Sequence, residues 1–489
     1  LPVLFHGKPN DAVHYKSLAD PSLTVGARDE ESCRDLVAVV FNGCIYNHRE
    51  LRRELQATGH EFVTDHSDTE VLLHGWREWG NRLPDHLDSM HSFAIWSRGD
   101  ADLFVSRDRH GEKPLYYARW AGDSVSGPTT LVFDSETAGV LRVSATIQRQ
   151  LLPSTTGTRL FLRFGYSLTN ALCEPISTPL ASASEWRVGA SGPSELVDRP
   201  WLLGHARHPS QWTRNVPLSA AELDDLLDEA VASRLPADVP LGCFLSGGID
   251  SSLVALYAKR RLSTLRTFTV RMPDANYDES PIASRVGALL GTTHLTLDCD
   301  ARPSEDLVDL IEHLGLPFGD SSLLPTFWVS RAARQHVGVA VGGDGGDELF
   351  AGYDRHVAAR WLASPFLQEL AHALPEVSRS RSPKGTLARV AKLLAALRGS
   401  GYWDLLAIFP EEDMLRLAGP SPSVAGECFE GLDVDRVRSI ACGNKLRLDL
   451  LSCLLRGKIF DPLGVGVVAG NGGVFGVAVG SPEQVHQRF

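Results

Sequence analysis

The sequence predicts an α/β protein with a layered first domain and a second domain built on a parallel sheet, and three observations carry that prediction. From Val239 a short apolar run ends in a Ser/Gly turn and passes at once into a helical pattern. Downstream of that turn, strand-like and helix-like segments alternate, which is the signature of parallel strands joined by helical crossovers. Before residue 165 the chain reads as strands with two helices, as expected of layered sheets flanked by helices.

Composition narrows the function. A chain of 489 residues can form two or three domains with proper cores, and 43% hydrophobic with 22% charged residues is ordinary for a globular protein. The formal net charge of -12 argues against a nucleic-acid surface and suits a small-molecule enzyme. Cysteines 33, 44, 173, 243, 299, 428, 442 and 453 are scattered, with no Cys-x-x-Cys pair. That is neither a zinc pattern nor a disulfide framework, so a cytoplasmic location is expected. No signal-peptide pattern opens the sequence, and it starts at Leu1 rather than Met, so the start is expected to be incomplete or mis-assigned.

Taken in order, Leu36–Tyr46 reads as a buried strand turning at Asn42-Gly43, and Asn47 caps an amphipathic helix with Leu51 and Leu55 on one face. Ser67-Asp68-Thr69-Glu70 opens a second helix with its acids at the positive end of the dipole, Asp68 reading as a capping-turn carboxylate. Ser92–Trp96 and Asp102–Ser106 form a hairpin through Arg98-Gly99-Asp100, and the chain then runs through Arg107–Tyr117 into another strand. Residues 165–215, rich in Ser, Gly and Pro, read as a connection between domains. Ser219 caps the helix that leads to the Ser/Gly turn.

That turn, Ser246-Gly-Gly-Ile-Asp-Ser-Ser252, makes an anion site between strand and helix. Gly247 and Gly248 let the backbone approach a phosphate, and the first N–H groups of the helix point at it. Ser246, Ser251 and Ser252 add hydroxyl donors, and Asp250 can hold a magnesium ion shared with the phosphates. The spacing is not the Walker pattern, since the turn is shorter and has no Lys. Strands follow at Leu265–Arg271, Thr293–Leu297 and Val337–Val341, with helices at 278–290 and up to Arg334. After the last strand, Gly342-Gly-Asp-Gly-Gly-Asp-Glu348 sets a second loop on the same rim, where ligands of open parallel sheets bind. Its glycines are expected to let Asp344 and Asp347 converge on one metal–phosphate site. From about 355 the chain reads as helices, and Gly457–Gly480 is so rich in Gly that no stable spanning helix is expected; low-complexity disorder or an altered reading frame is the expectation there.

Ser-Gly-Gly-x-Asp-Ser-Ser resembles the pyrophosphate loop of the N-type ATP pyrophosphatases. Phe41–Asn47, Ser67–Leu73, Phe93–Trp96 and Arg107–Tyr117 resemble the glutamine-hydrolysing domain of asparagine synthetases, and the order of the two domains is also similar to that family. The resemblance covers about residues 35–355. It implies an N-terminal-nucleophile αββα sandwich over 1–190, a linker over 191–216, an ATP-pyrophosphatase domain with a helical C-terminal part over 217–456, and an atypical tail over 457–489.

By the same resemblance Asn42 and Gly43 supply oxyanion donors and Asp68 receives the ammonium of glutamine. Leu245, Val270 and Gly343 line the adenosine site, Gly342 replaces a nucleotide-side Ser, Asp344 supports acyl-adenylate formation, and Asp347 joins Asp250 at magnesium. Several features depart from the pattern. The family's mature chain begins with a nucleophilic Cys, where Leu1–Phe5 stands here, and Cys44 replaces the Glu of Asn-Gly-Glu. Loss of glutaminase activity is therefore expected, with a structural role for Cys44. Gly315-Leu316-Pro317 lacks two carboxylates that relatives carry, and only Lys458 stands where the family places a phosphate-contacting Lys.

The resemblance implies an AMP- and pyrophosphate-forming ligase that amidates aspartate with Mg-ATP through β-aspartyl-AMP, taking nitrogen from ammonia or glutamine. Two alternatives stand beside it: a β-lactam-synthetase-like cyclase and a non-catalytic nucleotide-binding fragment. Expected partners are small molecules, with no nucleic acid, no membrane, and a homodimer left open.

Overall fold

The computed structural model describes residues 2–6, 14–17, 37–97, 102–108, 111–120, 130–165, 172–177, 184–189, 192–198, 219–272, 274–275, 278–298, 301–315, 318–350, 352–353, 358, 361–362, 364–374, 386–399, 402–409, 413, 466–469 and 475–478. Cys33, the Arg98–Asp100 turn, most of the expected linker, Leu316-Pro317 and Lys458 lie outside them.

The first domain is a four-layer sandwich. Its larger sheet contains β1 (Pro2–His6), β2 (His14–Ser17), β3 (Val37–Ile45), β4 (Ser89–Ser97) and β5 (Asp102–Arg107). The smaller holds β6 (Tyr116–Trp120) and β7 (Thr130–Asp134); β8 (Leu152–Pro153) and β9 (Cys173–Glu174) form a short separate pair. β10 (Ile176–Ser177) completes the smaller sheet, and β11 (Ser184–Gly189) with β12 (Gly192–Asp198) completes the larger. The strand orders are β12-β11-β5-β4-β3-β1-β2 and β10-β6-β7, antiparallel throughout.

Strand alternation places Val37, Val39, Phe41 and Ile45 on one face of the larger sheet. That face packs on Leu51 and Leu55 of α1 (His48–Ala57) and on Val71, Leu72 and Leu73 of α2 (Asp68–Trp79). The opposite face, through Ala94 and Val105, meets Leu115, Tyr117 and Phe133 of the second layer. A short helix, α3 (Leu83–His86), precedes β4. Behind the smaller sheet lies α4 (Thr137–Thr146), whose Val140 packs with Ala118 and Val132. This is the αββα order expected.

Three local expectations change. Asn47 occupies the N-cap position of α1 but makes no capping bond; its amide donates to the His86 carbonyl (2.8 Å) and accepts from Asp88 N–H (3.0 Å), tying the helix start to the loop before β4. At α2 the cap is Ser67, whose hydroxyl accepts from Glu70 N–H, so Asp68 is not the capping group. The segment expected as a plain connection contributes β11 and β12, so the sheet runs to Asp198, past the boundary placed at 190. Trp186, Val188, Leu196 and Val197 give these strands the apolar, β-branched character that the surrounding Ser and Gly concealed.

The second domain holds a parallel sheet of β13 (Leu241–Phe244), β14 (Arg266–Val270), β15 (Thr293–Leu297) and β16 (Val339–Gly342), in the order β15-β14-β13-β16. Crossovers are α7 (Ile249–Arg261), α8 (Ser280–Leu290), and α9 (Pro303–Leu314) with α10 (Leu323–Ala333). Upstream, α5 (Thr155–Phe164) belongs to the first domain, and α6 (Ala220–Ala232) starts on the Ser219–Glu222 capping box. Further helices are α11 (Gly346–Phe350), α12 (Pro365–Ala373), α13 (Thr386–Arg398) and α14 (Tyr402–Leu406). In the Gly/Val-rich tail, where no regular structure was expected, β17 (Gly466–Ala469) and β18 (Phe475–Ala478) form a hairpin whose β18 pairs antiparallel with β16.

The domains meet through α4, α5 and the second domain's loops. Thr137 Oγ1 donates to the Leu314 carbonyl (2.5 Å), Gly319 N–H to the Gly165 carbonyl (3.2 Å), and Ile408 N–H to the Arg163 carbonyl (2.6 Å). Arg163, whose side chain is 2% exposed, reaches Asp404 at 2.8 Å.

Candidate active site

The chain runs from β13 outward through β14 to β15, then returns to β16 on the other side of β13. The carboxyl ends of β13 and β16 therefore flank a topological switch point, where α/β sheets hold ligands. Both glycine loops emerge there.

In the first loop Leu245 is buried among Ala255 and Ala283, and its N–H donates to Phe268 (2.8 Å). The expected adenosine contact from Leu245 is thereby limited to its backbone. Val270 ends β14, half-buried on the same rim. Gly247 has φ +87°, and a Cβ there would stand 2.6 Å from Ile282 Cγ2, so both conformation and space require glycine. Ser246 and Ser251 pair through their hydroxyls at 2.8 Å. Ser246 N–H donates to Ser251 Oγ (3.2 Å), and Gly248 N–H to Ser246 Oγ (3.2 Å). Ser246 and Ser251, expected as phosphate donors, thus fix the shape of the loop. Gly248 is the N-cap of α7 and carries no side-chain cap, so the first-turn N–H groups face the rim; Ser252 N–H closes onto Gly248 O at 3.1 Å.

The second loop lies against the first. A Cβ on Gly343 would stand 2.5 Å from Ser251 N and 2.7 Å from Asp250 C. A Cβ on Gly346 would meet the Asp250 carboxylate oxygens at 2.6 and 2.7 Å, and Gly345 takes φ +86°. Glycine is what allows the two backbones to touch.

Asp344 and Asp347 do not converge as expected. Asp344 turns back beside Gly342, 2.7 Å from where a Cβ would stand, and Asp347 lies beside Gly352. Among the described residues no group of three acidic, His or Cys side chains could hold a metal. Asp250 and Asp347, the expected magnesium ligands, stand one on each of the two touching loops.

The first domain carries a second candidate pocket. Asn42 and Cys44 sit on the face of β3 turned from α1 and α2, with Tyr46 just beyond the strand. At Gly43 a Cβ would meet the Met90 carbonyl and stand 2.9 Å from His91 Cα, so β3 and β4 close tightly there. Asp68 Oδ2 accepts from Ile45 N–H (3.1 Å), which holds the carboxylate against the strand, and burial raises its pKa. Burial, then the charge of Asp68, pushes the Cys44 thiol far above the usual range. It stays a protonated thiol, in line with a structural role.

Sequence reasoning assigned no role to five residues here. Asp108 accepts from Glu112 and Lys113 N–H, both at 2.9 Å, while Arg107 donates to the Lys113 carbonyl (2.7 Å), and this loop holds the buried Lys113 close enough to lower the Cys44 pKa. Tyr46 has a buried hydroxyl with no hydrogen-bond partner among the described residues. Arg234, from the second domain, places its guanidinium 3.9 Å over the Tyr46 ring. Only the Arg107–Tyr117 motif gave a local signal; an Arg after a helix looks like any solvated charge.

The fold and the two glycine loops define an amidotransferase-type domain joined to an α/β domain with an anion-binding rim, and comparison with known proteins agrees. Residues 28–172 match the family described as "Glutamine amidotransferase domain", and residues 222–420 the one described as "Asparagine synthase". A putative glutamine-hydrolysing asparagine synthetase 2 of Methanocaldococcus jannaschii is 30% identical over 384 residues, covering 75% of this chain and 68% of that protein. Asparagine synthetase 1 of Bacillus subtilis is 30% identical over 319 residues, and a putative asparagine synthetase of Mycobacterium tuberculosis 32% over 327, each across 65% of this chain and 48% of the relative. The chain thus spans about half the length of these last two curated relatives. It belongs to the glutamine-hydrolysing asparagine synthetase family.

Proposed function

We infer that this chain is a ligase that activates aspartate with Mg-ATP and transfers ammonia to it. The aspartate side-chain carboxylate attacks the α-phosphorus, forming β-aspartyl-AMP and releasing pyrophosphate. Ammonia then adds to the acyl carbon and AMP leaves, giving asparagine. The observation that carries this reading is the contact of Gly343 and Gly346 with Ser251 and Asp250, which sets a phosphate-binding helix start against an acidic loop at the switch point.

In this reading the N–H groups of α7's first turn bind the pyrophosphate leaving group and stabilise the charge it gains. Asp250 and Asp347 hold magnesium, which supplies further charge neutralisation when bound. Asp344 supports adenylate formation from the β16 end, and Gly342, Gly343 and Val270 border the adenosine. The surface needed is small-molecule in kind. Among the described residues no helix is long and apolar enough to cross a membrane. Cys44, Cys173 and Cys243 are free thiols, which supports a reducing, cytoplasmic setting.

Glutaminase activity is, in the same reading, lost or much reduced. Support comes from the pocket itself: Asn42, Gly43 and Asp68 remain, but a half-buried neutral thiol stands beside Asp68. Asparagine-directed pyrophosphate release is the test, with Mg-ATP and aspartate and either ammonia or glutamine as nitrogen source. Release with ammonia alone is the expected result. Release with both overturns the glutaminase reading, and nucleotide binding without release under either condition overturns the ligase reading in favour of a nucleotide-binding fragment.

A further inference from the structure

Four titratable side chains form a continuous row in the helical layer over the larger sheet, and neither candidate site uses them. Glu78 Oε2 lies 2.9 Å from His60 Nε2, His60 Nδ1 lies 3.2 Å from His74 Nδ1, and His74 Nε2 lies 3.6 Å from Glu70 Oε1. The His74 side chain is 3% exposed and Glu70 is fully buried, with the Phe62 ring 4.2 Å from that of His74. His60 stands on the loop between α1 and α2, and the other three belong to α2 itself.

The fit of this row depends on how many protons it holds. Two imidazoles offer four ring nitrogens, and each of the three contacts needs one hydrogen. With three protons on the pair, His60 donates to Glu78, while His74 donates to His60 through Nδ1 and faces Glu70 with its Nε2–H. With two protons, one contact has no hydrogen. With four, two N–H groups point at each other across 3.2 Å. One protonation state therefore satisfies the row, and in it the pair carries a single positive charge between two carboxylates.

The loop closed by this contact is the one that leads into Asp68. His60 N–H donates to the Leu55 carbonyl (3.0 Å), Val63 and Thr64 N–H donate to Glu70 (2.6 and 2.9 Å), and Arg52 donates to the Thr64 and Ser67 carbonyls. Asp68 follows, its carboxylate held on Ile45 N–H. The charged neighbours are Arg52 of α1, stacked over Phe62; Glu61, Asp65 and His66 of the loop, the last two paired with each other; and Arg77 of α2. His86 of α3 stacks on Trp79, and β1, which packs on α2, ends in His6. We propose that His60 and His74 form a proton-gated clasp: the three-proton state closes residues 58–67 onto α2, and adding or removing a proton releases them, so that the seat of Asp68 depends on pH.

Hydrogen–deuterium exchange of peptides covering residues 60–67, read by mass spectrometry and divided by the intrinsic exchange rate at each pH, measures the clasp. Closing it takes up a proton on the alkaline side and releases one on the acid side. Protection should therefore peak between about pH 5 and 8, where imidazoles titrate, and fall on each side by up to about ten-fold per pH unit. In His60→Gln the peak should vanish, since an amide neither gains nor loses a proton in that range. A peak that survives in His60→Gln overturns the proposal, as does a flat wild-type profile. Protonation of Asp68 alone would give a one-sided fall on acidification, the same in both proteins, and that result overturns it too. Should His60→Gln fail to fold, Glu78→Gln keeps both imidazoles and removes one of the carboxylates that favour the charged pair. Its alkaline limb should move to lower pH, and an unmoved limb overturns the proposal.

Discussion

The contact between the two glycine loops can be tested by adding one carbon atom. In Gly343→Ala the new Cβ would sit 2.5 Å from Ser251 N, 2.7 Å from Asp250 C and 3.0 Å from Asp250 Cβ, where ordinary contact begins near 3.4 Å. Two of those three neighbours are backbone atoms of the first turn of α7, so no rotamer change relieves the clash. The loops must part by close to an ångström. Overpacking of this kind costs about 1–3 kcal/mol in stability. The same displacement moves the α7 N–H groups off the phosphates, and losing one charge-assisted hydrogen bond of about 1.5–3 kcal/mol weakens nucleotide binding by about 10- to 100-fold. Calorimetric titration with Mg-ATP, beside thermal unfolding, measures both. Gly291→Ala is the control: it carries φ +65° with nothing within 4 Å, so it should lose about 1 kcal/mol of stability from strain and keep its affinity. A Gly343→Ala protein that binds Mg-ATP as tightly as the wild type would refute the placement of the site.

Three further predictions follow from buried polar groups. Burial alone would raise the pKa of Glu70, but the His74 imidazole 3.6 Å away and hydrogen bonds from Thr64 and Val63 outweigh it and hold the carboxylate at about 2 against an ordinary 4.5. Its contribution, up to about 3 kcal/mol, is present above pH 4.5 and lost as the pH falls toward 2, so Glu70→Gln should lower stability at neutral pH and flatten the acid side of a urea-midpoint profile. Asp404→Ala removes the partner of a guanidinium that is 2% exposed; because Asp404 itself keeps 20% exposure, the loss should be about 2–3 kcal/mol in chemical denaturation, below the range for a fully buried pair. The exposed pair of Arg260 with Asp224 should by contrast contribute little, since solvent screens it. Ser251→Ala leaves Ser246 N–H and Oγ without their partner at the start of the loop, and should cost about 1 kcal/mol in thermal unfolding while loosening nucleotide binding.

Much of this protein was fixed by local pattern. The apolar run ending in Leu245, the Ser/Gly turn and the helix behind it are short-range features, and each is set by residues within one strand or one turn. The same holds for the capping box at Ser219 and for the alternation that announced a parallel sheet. What sequence misjudged were groups whose partners come from elsewhere in the chain. Asn47 and Asp68 sit where capping residues are expected, yet the first is drawn to His86 and Asp88 and the second to Ile45.

The placement of charges was decided by tertiary structure alone. Asp344 and Asp347 are only three residues apart, but the turn at Gly345 sends their carboxylates to different neighbours, so proximity in sequence did not make a metal cage. Arg234 and Tyr46 are far apart in sequence and come into contact only when the two domains pack, which is why neither carried a signal. Backbone conformation is governed by each residue and its near neighbours, and a linear sequence records it directly. The surroundings of a charged side chain depend on which distant elements pack against it, and only the folded chain determines that.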